Sequence, residues 1–445
     1  MAENSRTKYA LVGTGQRAMG MFTTPIASRY RDQAELVGIC DTNPGRLELH
    51  NTILKEELGY HEVPAFLADD FDRMIEQTRP DCVIVATVDR FHDFYANRAM
   101  EMGCDAITEK PMTISAAKCR AILETVKRTG KNLRVTFNYR WRPGTTLVKQ
   151  LLGEGVIGEI VHVDMEYLLN TSHGADYFRR WHREKEMSGG LLIHKASHHF
   201  DLVNWWIDAV PEVVFGMGRL AFYGRENAES RGIEVSYDHY TGNDTSDDPF
   251  ALDLSTDEKL SRLYIEPEKH DGYRRDRNVF GDNITIEDTM SALVRYRTGA
   301  VLNYSLNAYL PREGYTVMFN GTKGRLEYHE AEASHIVPGR AVAVAGEEVT
   351  WRSRLIVHPL FSPAYEVDIP AAVGGHGGGD PLLQEQIFSP DAPEDPWGRS
   401  AGHEQGAAAM LVGDAANQSM ETGAPISISD TCPPLGDARV LSELT

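Results

Sequence analysis

YALVGTGQRA, residues 9–18, is the stretch that decides the fold of this chain. The apolar run YALV predicts a buried β-strand, and Gly13 and Gly15 predict a tight turn into a helix. In a dinucleotide-binding turn the first glycine makes the bend, the second lets a pyrophosphate approach the backbone, and alanine, here Ala18, is accepted at the third position. Asp41 ends the next predicted strand, where a carboxylate can bind the ribose hydroxyls. The pattern predicts a dinucleotide-binding domain.

Other residues around this turn bear on the choice of cofactor. Gln16 and Arg17 follow the second glycine, and Arg46 lies shortly after Asp41. Asp41 would repel a 2′-phosphate unless one of the two arginines compensated for its charge. The sequence therefore favours NAD over NADP.

The spacing of apolar residues predicts an α/β protein with two domains. Residues 1–140 alternate short apolar strands with amphipathic helices, which predicts a Rossmann domain with a doubly wound parallel sheet. Residues 141–445 have longer strands joined by short glycine turns and one strong helix at 189–207, which predicts an α+β domain with a mostly antiparallel sheet. An acidic stretch near 225–260 is expected to be an inserted surface loop.

Composition excludes several classes of protein. The chain has 445 residues, 45 basic and 65 acidic, so its net charge is −20, which disfavours binding to nucleic acid or to an anionic membrane. The N-terminus lacks the pattern of a signal peptide and no apolar run is long enough to span a bilayer. Five cysteines without a C-x-x-C pair predict no disulfide framework. We expect a cytoplasmic protein that uses no metal ion.

Glu109-Lys110-Pro111 follows the fifth predicted strand. Ligands bind at the carboxyl ends of parallel strands, so Lys110 is expected beside the nicotinamide, whose positive charge would lower the pKa of the lysine. Lys110 could then donate a hydrogen bond to a substrate hydroxyl or help to deprotonate it. The alternative is a surface lysine that pairs with Glu109.

His194 and His198 are four residues apart in the helix predicted at 189–207, so they are expected on one helical face. Three interpretations are open: a catalytic base, a metal pair, or buried structural histidines. The metal pair lacks the glutamate of H-E-x-x-H and an obvious third ligand. We favour catalysis.

Two further segments are candidates for binding a substrate. SHGADYFRRWHR, residues 172–183, combines aromatic faces with guanidinium groups, which would suit a sugar with an anionic substituent or, alternatively, a plain surface loop. GGHGGGD, residues 374–380, contains His376 and Asp380 and is expected either to fold over the site or to be a flexible linker.

Taken together, these motifs resemble the glucose–fructose oxidoreductase/inositol dehydrogenase (Gfo/Idh/MocA) family of NAD(P)-dependent oxidoreductases. The matching segments are LVGTGQRA (11–18), CDTNPGRL (40–47), ATVDRFH (86–92), EKP (109–111), FNYRWRP (137–143) and the segment that ends in His198 and Asp201.

The resemblance implies roles for individual residues. It makes Lys110 and His198 catalytic and places Thr87, Asp89 and His92 along the cofactor. His194 stands where many members have aspartate, which is a departure from the family pattern.

Within that family the chain looks like a subgroup that acts on glycosides. Some members of that kind, such as sulfoquinovosidases, are NAD-dependent glycosidases that oxidise C3, eliminate the aglycone, add water and reduce C3 again. We consider Tyr177, Tyr139 and His194 candidates for removing the C2 proton. The residues expected to contact the substrate are Lys195, Arg179, Arg180, Trp181, His173 and Asn138, and the cations among them could bind a sulfonate.

Three other functions remain open, of which a metal-dependent hydrolase is the least favoured. The nearer alternative is an NAD-dependent glycoside 3-dehydrogenase that releases a keto-sugar and NADH. From another class, a non-catalytic dinucleotide sensor would bind NAD without turnover. The partner is expected to be a small sugar or glycoside, and family members suggest a homo-oligomer.

Overall fold

The computed structural model describes residues 6–333, 352–372, 374–432 and 435–444. Numbered in chain order, the strands of these residues are β1 Thr7–Val12, β2 Ala34–Asp41, β3 Ala65–Leu67, β4 Cys82–Val85, β5 Asp105–Thr108, β6 Leu133–Val135, β7 Ile160–Asn170, β8 Pro211–Arg219, β9 Thr289–Tyr296, β10 Val301–Leu310, β11 Glu313–Gly321, β12 Gly324–Ala333, β13 Arg354–Pro359, β14 Tyr365–Val367, β15 Ala401–Gly402 and β16 Ile426–Ser427.

Helices connect and cover these strands. The longer α-helices are Pro44–Thr52, Phe71–Thr78, His92–Glu101, Ala116–Thr129, Pro143–Gly153, Thr171–Arg179, Ser197–Trp206, Gly379–Phe388 and His403–Thr422. The helix after β1 runs as three consecutive turns, Gln16–Ala18, Met19–Thr23 and Thr24–Ala27.

The first sheet is a Rossmann sheet with the order β15-β6-β5-β4-β1-β2-β3. Its strands are parallel except for the edge strand β15. The last four residues of β1 and all of β4 are apolar and buried because helices cover both faces, as expected for a parallel sheet. The predicted doubly wound sheet is confirmed.

The second sheet has the order β14-β13-β12-β11-β7-β10-β9-β8-β16 and is antiparallel apart from the pair β7–β10. Helix His403–Thr422 packs closely on one face, since a Cβ added at Gly216 of β8 would lie 2.5 Å from the Ala416 carbonyl oxygen. The other face carries exposed apolar side chains, among them Met217 and Leu293. The predicted mostly antiparallel sheet is confirmed as well.

The prediction of one continuous helix at 189–207 is wrong, because the structure has two helices there, Leu191–His194 and Ser197–Trp206. The Ala196 N–H donates to the Leu191 carbonyl, five residues back, which widens the turn and ends the first helix. His194 and His198 therefore lie on separate helices and do not share a helical face. Both side chains nevertheless face the same cleft.

Residues 172–183 are not a loop, as the composition suggested, but helix Thr171–Arg179 followed by a 3₁₀ turn, Trp181–Arg183. The Asn170 side chain caps this helix by accepting hydrogen bonds from the backbone N–H groups of Ser172 and His173, at 3.0 and 2.8 Å. The cap fixes which side chains of the segment point at the cleft.

Candidate functional site

A cleft of about 660 Å³ lies at the carboxyl ends of the parallel strands, between the Rossmann sheet and the helices of the second sheet. Such a position is where open α/β sheets bind ligands. The predicted site residues that line it are Gly15, Gln16, Arg17, Arg46, Thr87, His92, Glu109, Lys110, Asn138, His173, Tyr177, Arg180, Trp181, His194 and His198.

Six predicted residues lie outside that lining. Gly13, Ala18 and Asp41 support the first turn from behind, and Tyr139, Lys195 and Arg179 are buried beside the second sheet. Lys195 Nζ donates to the Tyr139 hydroxyl at 3.1 Å, and Arg179 donates to the Phe250 carbonyl at 2.6 Å. These three side chains support the walls of the cleft.

The glycine turn has the shape that a pyrophosphate needs. Gly13 has φ +89°, and a Cβ there would lie 2.4 Å from the Ala86 carbonyl oxygen, so the turn must pass close to β4. At Gly15 an added Cβ would meet no atom of the described residues within 4 Å, which leaves the backbone open to the cleft. The first N–H groups of the next helix have no side-chain cap among the described residues and are available to an anion. The turn fits a dinucleotide.

Asp41 is fully engaged by donors of the protein itself. One carboxylate oxygen accepts from the Thr14 N–H and hydroxyl at 2.7 and 2.9 Å, and the other accepts from the Asn43 N–H at 2.9 Å and from Arg46 at 3.2 Å. Arg46 is the residue that reaches the cleft, and it also pairs with Asp271 at 2.6 Å. Direct contact between Asp41 and the ribose stays a prediction.

Arg17 joins three distant parts of the chain at the floor of the cleft. It donates to Glu109 at 2.8 Å and to Asp380 at 3.0 Å. Asp380 also accepts from the Asn138 amide at 2.6 Å and lies 2.7 Å from His376 Nδ1. Burial alone would raise the pKa of Asp380, but the hydrogen bond with His376 and the charge of Arg17 hold it well below its usual range. The segment 374–380 thus lies at the site.

Lys110, His194 and Asp89 form a buried chain of polar groups. Lys110 Nζ donates to the His194 carbonyl at 3.1 Å and lies 3.4 Å from its Nε2, while His194 Nδ1 lies 2.5 Å from an Asp89 carboxylate oxygen. Burial lowers the pKa of Lys110 to about 8. Burial also holds the pKa of His194 well below and that of Asp89 well above their usual values.

The tautomer of His194 depends on its two neighbours. When Lys110 is protonated and Asp89 is ionised, Nε2 accepts from Lys110 and the ring proton lies on Nδ1, where it is donated to Asp89. Asp89 therefore orients His194, which in turn holds Lys110. The chain can carry a proton from the cleft to a buried carboxylate.

His198 stacks on the ring of Tyr139 with centroids 4.1 Å apart and an interplanar angle of 8°. Its Nδ1 is buried without a hydrogen-bond partner among the described residues. Burial holds the pKa of His198 well below its usual value, so the ring is neutral and can accept a proton at neutral pH.

A second polar chain reaches the cleft beside the first, with the rings of Tyr177 and His194 5.4 Å apart. His173 Nδ1 lies 2.5 Å from a Glu313 carboxylate oxygen, and His173 Nε2 lies 3.0 Å from the Tyr177 hydroxyl. Burial raises the pKa of Tyr177. A carboxylate, an imidazole and a hydroxyl in this order can move a proton away from the hydroxyl.

Arg180 is a cation at the cleft with few partners. It lies 3.4 Å from Asp176, while Arg275 binds the same carboxylate with two hydrogen bonds of 2.7 and 2.9 Å. Burial would raise the pKa of Asp176, but Arg275, Arg180 and Arg179 hold it well below its usual range. Because one ionised carboxylate faces three guanidinium groups, the cluster has an excess of positive charge and Arg180 can bind an anion.

Several site residues were not predicted from the sequence. Glu313 begins β11 and lies 140 positions from its partner His173, so no local pattern pointed to it. Tyr264, Asp271 and Tyr273 line the cleft from the segment after the acidic insertion. The two tyrosines of that segment, Tyr264 and Tyr273, were the sequence feature that could have indicated a binding surface there. Among the described residues, no group of three or more His, Cys, Asp or Glu could hold a metal ion.

Comparison with known proteins gives a consistent result for both parts of the chain. Residues 7–137 match the family model described as an oxidoreductase family, NAD-binding Rossmann fold. Residues 149–428 match the model of the oxidoreductase family's C-terminal alpha/beta domain. The two matches cover both sheets described above.

Three curated proteins are similar in sequence. YteT of Bacillus subtilis, named as an oxidoreductase, is 34% identical over 427 residues, which are 94% of this chain and 97% of YteT. The D-glucoside 3-dehydrogenase of Escherichia coli is 29% identical over 44% of this chain and 53% of its own length. Glycosyl hydrolase family 109 protein 1 of Akkermansia muciniphila is 27% identical over 42% of this chain and 40% of its own length.

Among solved structures, a levoglucosan dehydrogenase in complex with NADH has a TM-score of 0.63 at 17% identity, covering 95% of this chain and 99% of that one. At this identity the likeness concerns the fold alone. In the part of the chain that the structure describes, no helix is long and apolar enough to cross a membrane.

Proposed function

This chain belongs to the Gfo/Idh/MocA family of oxidoreductases, and from that premise we propose that it is an NAD-dependent glycosidase that oxidises and then reduces C3 of its sugar. The observation that carries the proposal is that two separate carboxylate–histidine chains reach one cleft, one ending at Lys110 and the other at Tyr177. A simple dehydrogenase moves one proton with the hydride. A C3-oxidising glycosidase must also move the proton at C2.

The residues that would hold the cofactor are those of the glycine turn and the strand ends. The N–H groups after Gly15 suit the pyrophosphate, Arg46 suits the ribose, and Glu109 and His92 lie near the reactive end. His92 fixes this end by contacting the carbonyl oxygens of Pro111 and Thr87 at 2.8 and 3.3 Å. When bound there, NAD supplies an acceptor for a hydride and later returns it to the sugar.

The first chain would handle the C3 hydroxyl. As C3 becomes a ketone, its carbon loses a hydride and its oxygen loses a proton. Lys110 is suited to take that proton because burial lowers its pKa to about 8, and His194 with Asp89 can relay it. His198, neutral at the same wall, is the alternative acceptor.

The second chain would handle C2. The C3 ketone acidifies the C2–H bond, so Tyr177 can remove that proton as His173 and Glu313 receive the phenol proton. The C1–O bond then breaks, and the leaving oxygen takes up a proton equivalent to the one removed from C2, so that the aglycone leaves as an alcohol. Water adds at C1, a proton returns to C2, and the hydride returns to C3, so the net reaction is glycoside plus water to sugar plus alcohol.

We propose that the substrate carries an anionic substituent. Arg180 supports this step because it lines the cleft while most of the charge of Asp176 is taken by Arg275. Trp181 lines the same wall and offers an apolar face to the sugar ring. A sulfonate or a carboxylate would satisfy Arg180 equally well.

A glycoside 3-dehydrogenase is the second candidate, because the chain is similar to the Escherichia coli D-glucoside 3-dehydrogenase over 200 residues. One assay separates the two functions. Aryl glycosides, neutral and anionic, are mixed with the protein while aglycone release and the absorbance of NADH are followed together. Glycosidase activity predicts many turnovers of aglycone at constant NADH absorbance, with loss of activity when NAD is removed. NADH that rises with turnover and no aglycone would establish the dehydrogenase instead.

We also propose that the chain forms a homo-oligomer through the open face of the nine-stranded sheet. That face exposes half or more of the side chains of Met217 and Leu293 around a groove of about 400 Å³. Light scattering on wild type and Leu293→Asp tests this: a change from oligomer to monomer supports the proposal, and a monomeric wild type overturns it.

A further inference from the structure

Residues 252–273, hereafter the strap, cross from the second domain to the adenosine end of the cleft. We propose that the strap completes the cofactor site and holds NAD in place through successive turnovers. The inference rests on the proposed use of NAD, but not on the glycosidase reaction. It assigns a function to residues 252–273, which overlap the end of the acidic insertion at 225–260 and continue beyond it.

The centre of the strap is anchored to the Rossmann domain by apolar packing. Leu254, Leu263 and Tyr264 are buried in a small cluster with Met19 of the first helix and Ile53 after the second strand. This cluster is separate from the main cores of the two sheets. The cluster fastens the strap to the surface around the adenosine end.

Next to the apolar cluster, polar contacts join the strap to the loop expected to bind the ribose. The Asn43 amide donates to the Pro267 carbonyl at 3.0 Å, and Arg46 binds Asp271 at 2.6 Å while it contacts Asp41 at 3.2 Å. A Cβ added at Gly45 would lie 3.1 Å from the His270 ring, so the Gly45 backbone packs closely against the side chain of His270. The strap therefore packs on the same loop that must receive the ribose.

Both ends of the strap are tied to one helix of the second domain, Thr171–Arg179. Just before the strap, the Phe250 carbonyl accepts from Arg179 at 2.6 Å, and just after it Arg275 makes its two hydrogen bonds with Asp176. Between these ties Tyr264 and Tyr273 line the cleft. A dinucleotide in the cleft would be enclosed by the glycine turn on one side and the strap on the other.

The charges at the strap also bear on cofactor choice. Arg46 stands between two carboxylates, Asp41 and Asp271, so the three groups together carry one negative charge. A 2′-phosphate would meet this excess charge instead of a free guanidinium. Asp271 is therefore a specificity residue that keeps Arg46 from binding NADP.

Retention fits the proposed chemistry. A cofactor that takes a hydride and returns it need not leave the protein between turnovers, whereas a dehydrogenase must exchange NADH for NAD each time. A strap that must detach before the cofactor leaves slows release without slowing either proton transfer.

The test measures cofactor exchange and not activity. Protein loaded with radiolabelled NAD is freed of unbound cofactor, mixed with excess unlabelled NAD, and assayed for retained label over time. Leu263→Ala removes the apolar anchor, and we expect its exchange to be at least about tenfold faster, since tenfold corresponds to only about 1.4 kcal/mol. Lys259→Ala, an exposed change in the same strap, is the matched control and should exchange like wild type. Equal rates in all three proteins would overturn the proposal.

A second variant tests the strap independently, so that the proposal can be judged even where Leu263→Ala does not fold. Asp271→Asn leaves the apolar anchor intact and should increase the affinity for NADP relative to NAD by about tenfold in a direct binding assay. An unchanged NADP to NAD ratio contradicts the role of Asp271. If the wild-type protein retains NAD but cleaves no glycoside, the proposed function is refuted while the role of the strap is supported. If it cleaves glycosides but exchanges NAD rapidly, the role of the strap is refuted while the proposed function is supported.

Discussion

Lys110 combines burial with a position at the end of a polar chain, so its protonation state should control the reaction. Burial lowers its pKa to about 8, and only the neutral amine can take a proton from the C3 hydroxyl. We therefore expect kcat/KM to rise with pH through about 8 and then level off. Lys110→Met should lower kcat by about 10²–10⁴-fold while NAD still binds. Steady-state rates from pH 6 to 10 and NAD titrations measure both effects.

Lys55→Met is the matched control, because Lys55 is exposed on the helix after the second strand and far from the polar chains. It should keep the wild-type pH profile. A Lys110→Met protein with the same alkaline rise as wild type would show that another group accepts the proton, with His198 the first to test.

The chain from Glu313 to Tyr177 predicts a partial reaction. Tyr177→Phe removes the hydroxyl that lies 3.0 Å from His173 Nε2 but leaves the Lys110 chain intact. The variant should still oxidise C3 once, giving a single burst of NADH absorbance, and should release aglycone about 10²–10⁴-fold more slowly than wild type. Stopped-flow absorbance at the wavelengths of NADH and aglycone separates the steps. Loss of the burst together with the release would assign Tyr177 to C3 and not to C2.

At the scale of an element, helix Thr171–Arg179 positions both His173 and Tyr177, and Asn170 caps it. Asn170→Ala removes acceptors for two backbone N–H groups and should cost about 1 kcal/mol of unfolding free energy. Asn170→Asp keeps an acceptor and should restore stability. Denaturant unfolding gives these values, and kcat shows the consequence for the Tyr177 chain. An Ala variant as stable as wild type would mean that water replaces the cap.

Regular elements were predictable where periodicity is strong. The strand, glycine turn and helix of residues 7–27 and the parallel order of the first sheet follow from apolar runs that only a covered strand tolerates. Helix Thr171–Arg179 was missed because its polar composition masked the Asn170 cap, which is itself a helix start signal. The break after His194 depends on a widened turn that leaves no mark in composition.

The site was predictable only in part, for a physical reason. Lys110, His194 and His198 lie at strand ends or helix starts that topology brings to one edge. Glu313 and Asp271 meet their partners through tertiary contacts that no local spacing encodes. The acidic composition predicts a surface loop near 225–260, but composition could not show that residues 252–273 return to the cleft.

At the scale of the whole molecule, acid should weaken the ion pairs that link distant segments at the cleft. Asp176 and Asp380 link distant segments through Arg275 and Arg17, and these partners hold the pKa of each carboxylate well below its usual 3.8. A carboxylate with a lowered folded-state pKa stabilises the fold above its unfolded-state pKa and loses that contribution as pH falls. Unfolding free energy should therefore be retained from pH 7 to about 5 and decline below about 4.

The net charge of −20 gives a competing trend, because protonation first relieves repulsion among the surface carboxylates as pH falls toward the pI of about 5.3. A variant separates the two effects. Asp176→Asn should lose about 1–3 kcal/mol at pH 7, since it leaves Arg275 without its carboxylate, and should lose less than wild type between pH 5 and 3. Glu258→Gln, on the exposed side of the strap, should follow the wild-type curve. If Asp176→Asn and wild type decline in parallel below pH 4, the acid sensitivity belongs to the surface charge and not to the Asp176 ion pairs.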